Sequence, residues 1–159
     1  MDGNEIIGMT RILFVCHGNI CRSPMAESVF AAKVRERRLE WAYTADSAAV
    51  SAEEIGNPVH PGTQRVLAAH GIPCLPHRAR QITADDYRRF DLLIGMDASN
   101  LRRMRALCGG DPQQKCRLLL DFTAAPRDVA DPWYTGDFEA AYRDILCGCE
   151  GILASCAHR

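Results

Sequence analysis

The chain has no long apolar run. A membrane-spanning helix needs roughly 18 or more predominantly apolar residues, and no stretch approaches that. The first ten residues, MDGNEIIGMT, carry acidic side chains and lack a basic segment followed by an apolar core, so they do not read as a secretory signal. A cytoplasmic location is the expectation. An excess of one charge is missing too: 19 Lys and Arg stand against 20 Asp and Glu, a formal net charge of -1. That balance argues against bulk attraction to nucleic acid or to an anionic membrane. Basic clusters at Arg35, Arg37 and Arg38, and at Arg102, Arg103 and Arg105, read as solvated helix faces. No repeat, low-complexity segment or composition shift divides the 159 residues, a length that suits one domain over 1–159 with a loose tail at 1–9.

Close C-x-x-C pairs with further ligands are absent, and Cys147-Gly-Cys149 has the wrong spacing for zinc. No metal and no cofactor is expected. The 8 cysteines do not imply a disulfide framework, which belongs to short secreted chains. Cys116, Cys149 and Cys156 sit in apolar patterns and read as small core residues. No G-K-[ST] follows the first strand, which excludes the lysine-bearing phosphate loop of nucleotide hydrolases.

What is present is a regular alternation. RILFVC (11–16) is a continuous apolar run that predicts a strand buried on both faces. A helix is predicted over 23–39, with Ser23 as N-cap, Pro24 at the first helical position and Glu27 placing negative charge near that end. Further strands are predicted over 41–50, 91–97 and 116–122. Helices are predicted over 63–71, 82–90, 98–110 and about 137–156, Thr83 being a candidate cap for the second of these. Such alternation implies an α/β domain: a four-stranded parallel sheet with helices on both faces and a ligand site beyond the carboxyl ends of the strands.

The stretch ILFVCHGNICRSPMAE (12–27) falls at that site. Between strand and helix, backbone N–H groups converge into an anion nest, and the helix aims its positive end at the same point. Gly18 permits a conformation that a side chain would forbid. Arg22 offers a planar fork matched to two phosphate oxygens, and the same positive field favours the thiolate form of Cys16. Ser23 can donate a hydrogen bond to that sulfur. The assembly is a pocket for a tetrahedral oxyanion with a nucleophile at its floor.

The sequence closely resembles the low-molecular-weight protein tyrosine phosphatases. Their C-x-G-N-x-C-R-S-P motif matches at Cys16, Gly18, Asn19, Cys21, Arg22, Ser23 and Pro24, with His17 and Ile20 as the variable loop positions. DSAAVS, HRARQIT, FDLLIGMDASNL and DPWYTGDFEAAY follow in the family's order over nearly the whole chain. The resemblance implies hydrolysis of a phosphotyrosine protein or small aryl phosphate by a monomer or weak dimer. Cys16 would attack phosphorus to form a phosphocysteine, Arg22 and the loop amides would hold the oxygens, and Asp131 would protonate the leaving phenolate and then activate water. It also implies a supporting network of Asn19, Ser23, Ser47 and His77, and a reversible disulfide between Cys21 and the nucleophile that guards against deeper oxidation. Trp133 and Tyr134 would form one wall of the cleft.

The chain departs from the pattern at named places. Many members carry a second aromatic where this chain has Glu53, with Glu54 beside it, so the opposite wall is expected to be polar. The spacing between HGI and ARQ is one residue longer than usual. Related phosphoarginine phosphatases carry threonine at the position of Ile20, which makes phosphotyrosine the expected substrate and phosphoarginine the nearest alternative. Arsenate reductases on this fold usually follow the loop serine with glutamine, so Pro24 and the retained DPWY argue against that activity. A non-catalytic phosphate-binding or redox-sensing module is the remaining alternative.

Overall fold

The computed structural model describes residues 8–156. The tail expected at 1–9 therefore lies almost wholly outside the described residues. Four strands form one sheet in the order β2-β1-β3-β4: β1 (Thr10–Cys16), β2 (Tyr43–Ala49), β3 (Leu92–Gly95) and β4 (Cys116–Leu118). All three pairings are parallel. The helices are α1 (Arg22–Glu36), α2 (Pro61–Ala69), α3 (Ala84–Arg89), α4 (Ala98–Leu107), the single turn α5 (Pro132–Thr135) and α6 (Phe138–Cys156).

The apolar run of β1 is continuous because both of its faces are buried. Ile12, Phe14 and Cys16 join a core with α1, α2 and α6, while Leu13 and Val15 join a second core with α3 and α4. Cys116, Cys149 and Cys156 are buried, and Cys108 joins Cys116 in the second core. Against the prediction of a strand over 116–122, β4 stops at Leu118 and the chain turns into a 3-10 turn over Leu119–Phe122. There α6 comes too close for a strand to continue: a Cβ at Gly148 would lie 2.4 Å from Leu119 and one at Gly151 2.1 Å from the Phe122 carbonyl.

From β1 the chain leaves on one side to β2 and later returns on the other side as β3. This switch opens a crevice at the carboxyl end of β1. Residues 80–82 run beside the end of β2, with Ala49 N donating to Arg80 O and Ile82 N to Ala49 O. That pairing brings the 77–80 segment to the crevice from one flank. No helix among the described residues is long and apolar enough to cross a membrane.

Candidate active site

Between β1 and α1 the chain wraps around the sulfur of Cys16. Ser23 Oγ lies 3.0 Å from it, and the backbone N–H groups of Asn19 and Ser23 donate to it at 3.3 and 3.4 Å. Three donors converging on one sulfur suit an anion there. The fold makes this possible by two departures from the sequence expectation. The left-handed residue of the loop is Asn19, at φ 62, not Gly18. Gly18 instead meets a spatial limit, since a Cβ there would lie 3.1 Å from Glu54 Cγ. The N-cap of α1 is Cys21, not Ser23. Ser23 lies in the first turn with its hydroxyl free to face the sulfur, and Pro24 is tolerated there because its N–H would have had no intrahelical partner.

Behind the loop lies a network of set polarity. Asn19 Oδ1 accepts from Arg80 N–H (3.1 Å) and His77 Nε2 (2.7 Å), so the His77 proton sits on Nε2. Asn19 Nδ2 donates to Ser23 Oγ (2.8 Å) and Ser47 Oγ (3.0 Å). Each hydroxyl then has its proton to give: Ser47 to Glu27 Oε1 (2.6 Å), Ser23 to Cys16. The network expected of Asn19, Ser23, Ser47 and His77 is thus assembled, with Glu27 as a further member.

Glu27 lies beyond the first turn of α1 and does not serve the helix end as expected. Burial pushes its carboxyl up to about 7, against the favourable bond from Ser47. His77, 3.7 Å away, is held below its ordinary value by burial. Glu27, Asp46 and His77 present ligand-type atoms within 4.8 Å of one another. Glu27 accepts from Ser47, His77 Nε2 donates to Asn19, and the guanidinium of Arg80 lies 3.2 Å from Asp46.

Arg22 is 2% exposed and is among the largest fully buried side chains of the described residues. Its Nη1 donates to Asp97 Oδ2 and to the Val129 carbonyl, both at 2.8 Å, and its Nη2 to Asp131 Oδ2 at 3.3 Å. Burial pulls its pKa down, but Cys16, Asp131 and Asp97 more than offset that and hold it above the ordinary value. Nε is the one buried side-chain N or O among the described residues without a hydrogen-bond partner. Asp131 caps α5, accepting from Trp133 N–H at 3.0 Å.

Cys16, His17, Gly18, Ile20, Cys21, Arg22, Glu53, Glu54, Asp131, Trp133 and Tyr134 line one cleft. Trp133 and Tyr134 are largely exposed. Glu53 accepts from His17 Nε2 at 3.2 Å, and Arg103 Nη1 approaches His17 Nδ1 at 3.4 Å. Arg103, read in the sequence as part of a solvated face, also donates to the Val50 carbonyl. Burial pushes the Cys21 thiol up to about 12, with Cys16 as the next contribution.

Sequence reasoning missed Glu27, Asp97 and the Val129 carbonyl as site components. Glu27 had a usable signal, since it follows Ser23 by four residues and so shares its helix face. Asp97 lies two residues past the end of β3, a neighbour of β1, where sites in such sheets lie. Nothing local marks Val129.

A family model described as low molecular weight phosphotyrosine protein phosphatase matches residues 11–159. The low molecular weight protein-tyrosine-phosphatase YfkJ of Bacillus subtilis is 44% identical over 149 residues, covering 92% of this chain and 96% of that one. The crystal structure of YfkJ superposes with a TM-score of 0.91 at 43% identity, covering 94% of this chain and 96% of that chain. The low molecular weight phosphotyrosine protein phosphatase of Homo sapiens is 40% identical over 147 residues, covering 89% and 92%. The crystal structure of DARP, a drosophila arginine phosphatase, is more distant, at 33% identity and a TM-score of 0.83 over 91% and 96% of the two chains. With its loop, fold and segment order all accounted for, the chain belongs to the low molecular weight phosphotyrosine protein phosphatase family.

Proposed function

We propose that this protein hydrolyses phosphotyrosine monoesters through a phosphocysteine formed on Cys16. Family membership carries the hydrolase class. The observation that carries the site assignment is the sulfur of Cys16 facing three donors, beside a buried guanidinium whose Nε–H has no protein partner. A phosphate oxygen would satisfy that orphan donor, and an unpaired buried donor costs about 1–3 kcal/mol.

Cys16 Sγ attacks phosphorus as the bond to the phenolic oxygen breaks, and Asp131 gives that oxygen its proton. Asp131, now a carboxylate, takes a proton from water as the water oxygen attacks phosphorus and the sulfur leaves. Ser23 donates to the departing thiolate. Arg22 and the loop amides carry the charge on the equatorial oxygens in both steps. Trp133 and Tyr134 face the phenyl ring, and Glu53 and Glu54 make the opposite wall acidic. Such a wall disfavours acidic phosphopeptides relative to basic or small ones.

Cys21 is the resolving thiol for an oxidised Cys16. When peroxide turns the Cys16 thiolate into a neutral sulfenic acid, the repulsion it exerts on a Cys21 thiolate disappears. Cys21 sulfur then displaces water from the sulfenic acid to form a disulfide.

Phosphate release from p-nitrophenyl phosphate and from phosphotyrosine, phosphoarginine and phosphoserine peptides tests the reading. Wild type should favour phosphotyrosine, and Cys16→Ser should be inert. An active Cys16→Ser protein would overturn the nucleophile assignment, and phosphoarginine turnover at or above phosphotyrosine turnover would reverse the substrate assignment.

A further inference from the structure

His60 has no role in the assignments above, yet it touches both halves of the cleft. It is the residue before α2. Its backbone N–H donates to the Ile20 carbonyl at 2.9 Å, and Thr63 Oγ1 donates to the Cys21 carbonyl at 3.1 Å. The start of α2 therefore grips the phosphate loop from behind. The imidazole reaches toward the acid segment. It stacks on Phe138, with centroids 5.1 Å apart and planes 21° from parallel, and meets Trp133 edge to face at 5.8 Å and 81°.

The ring is fixed in this position. Its Nδ1 accepts the Gly62 N–H at 2.9 Å, which leaves the proton of the neutral ring on Nε2. Gly62 holds the space for the stack, since a Cβ there would lie 2.5 Å from the Phe138 ring. Trp133 by contrast belongs to one exposed helical turn. Its backbone N–H is bound to the Asp131 carboxylate at 3.0 Å, so moving Trp133 moves Asp131.

We propose that His60 is a positioning residue for the leaving-group side of the reaction. By bracing Trp133 while its own backbone holds Ile20, it fixes the distance between the acid and the phosphate loop. It touches neither sulfur nor phosphorus, so the sulfur's own chemistry does not depend on it. The proposal rests on Asp131 being the proton donor.

The test compares wild type, His60→Ala, His60→Phe and Asp131→Asn on phenyl phosphate, a poor leaving group, and p-nitrophenyl phosphate, a good one. The pH profile of Cys16 alkylation by iodoacetate is read alongside. His60→Ala should lower kcat/KM on phenyl phosphate about tenfold and on p-nitrophenyl phosphate less than about threefold, because a misplaced acid costs most where the proton is most needed. The alkylation profile should stay at the wild-type position. His60→Phe keeps the stack and should recover most of the phenyl phosphate rate. If His60→Ala does not fold, His60→Gln replaces it with the same expected ratio. Equal losses on both esters, a shifted alkylation profile, or no recovery by His60→Phe would overturn the proposal. If Asp131→Asn loses equally on both esters, the acid assignment fails first and the His60 role falls with it.

Discussion

On the phosphate side of the cleft, Asn19, Ser23 and Ser47 have no exposed surface, and each makes two or more side-chain hydrogen bonds. On the acid side, Trp133 is 56% and Tyr134 82% exposed, in a helix of a single turn. The cleft thus joins one half whose geometry is determined several times over to one half held by a few contacts. The difference follows the chemistry. Phosphate is the same in every substrate and rewards a rigid cradle, while the group beyond it varies and is met by an adaptable wall.

Breaking each half in turn should give the largest contrast. Asn19→Ala places alanine, which lacks asparagine's tolerance of the left-handed region, at φ 62, leaves the Arg80 N–H and His77 Nε2 without their acceptor, and removes a donor from both serines. Left-handed strain of about 1 kcal/mol and unsatisfied buried groups of about 1–3 kcal/mol together predict a loss near 3 kcal/mol. Trp133→Ala should cost less than about 1 kcal/mol, as exposed substitutions do, while raising KM for aryl phosphates. Urea midpoints at constant m-value measure both. Similar stability losses in the two variants would remove the contrast.

The rigid half contains one weak point, Glu27. Its carboxyl is raised to about 7 in the folded protein from an ordinary value of 4.5, chiefly by burial. A raised folded pKa contributes stability that is complete below pH 4.5 and lost as pH rises through about 7. The shift corresponds to about 3 kcal/mol at most. Glu27→Gln removes the titration and can still accept from Ser47. Its stability relative to wild type should therefore improve by about 2 kcal/mol between pH 5 and pH 8. Asp86, held below its ordinary value by the Arg80 and Thr83 bonds against burial, contributes the opposite limb, lost as pH falls, and is common to both proteins. A relative stability that does not change with pH would remove Glu27 as the titrating group.

The same division explains what the sequence disclosed. β1 and the Cys16-to-Arg22 loop were legible because their chemistry is local: an apolar run, a fixed spacing and a helix start. Asp131 was singled out by the neighbouring Pro and aromatics, and it lines the cleft beside Arg22. The polarity of the network was not, because it depends on contacts between residues far apart, such as Asn19 with His77 and Arg80. Glu27 was read as a helix-end charge since nothing in its neighbours announces Ser47 across the core. The expectation that Gly18 takes a conformation forbidden to a side chain was not met; the left-handed residue is Asn19, whose buried side-chain bonds hold it in a conformation that asparagine tolerates better than most residues. β4 was overextended because the approach of Gly148 and Gly151 to 119–122 is invisible to local periodicity.

The smallest expected effect sharpens the exposed half. Glu53 stands across the cleft from Trp133 with 69% of its side chain in solvent, bound to His17, which lies beside Arg103. Since Nδ1 of His17 faces a guanidinium, its proton sits on Nε2 and points at Glu53, so the carboxylate is held at the rim rather than swinging freely. Solvent screens such a charge, and a single exposed carboxylate changes the preference between basic and acidic peptides by about two- to fivefold. Glu53→Trp should therefore lower the basic-to-acidic ratio of kcat/KM by that factor at low salt, with little change on p-nitrophenyl phosphate, and the difference should shrink at high salt. Unchanged peptide ratios would mean that the rim carboxylate does not select substrates.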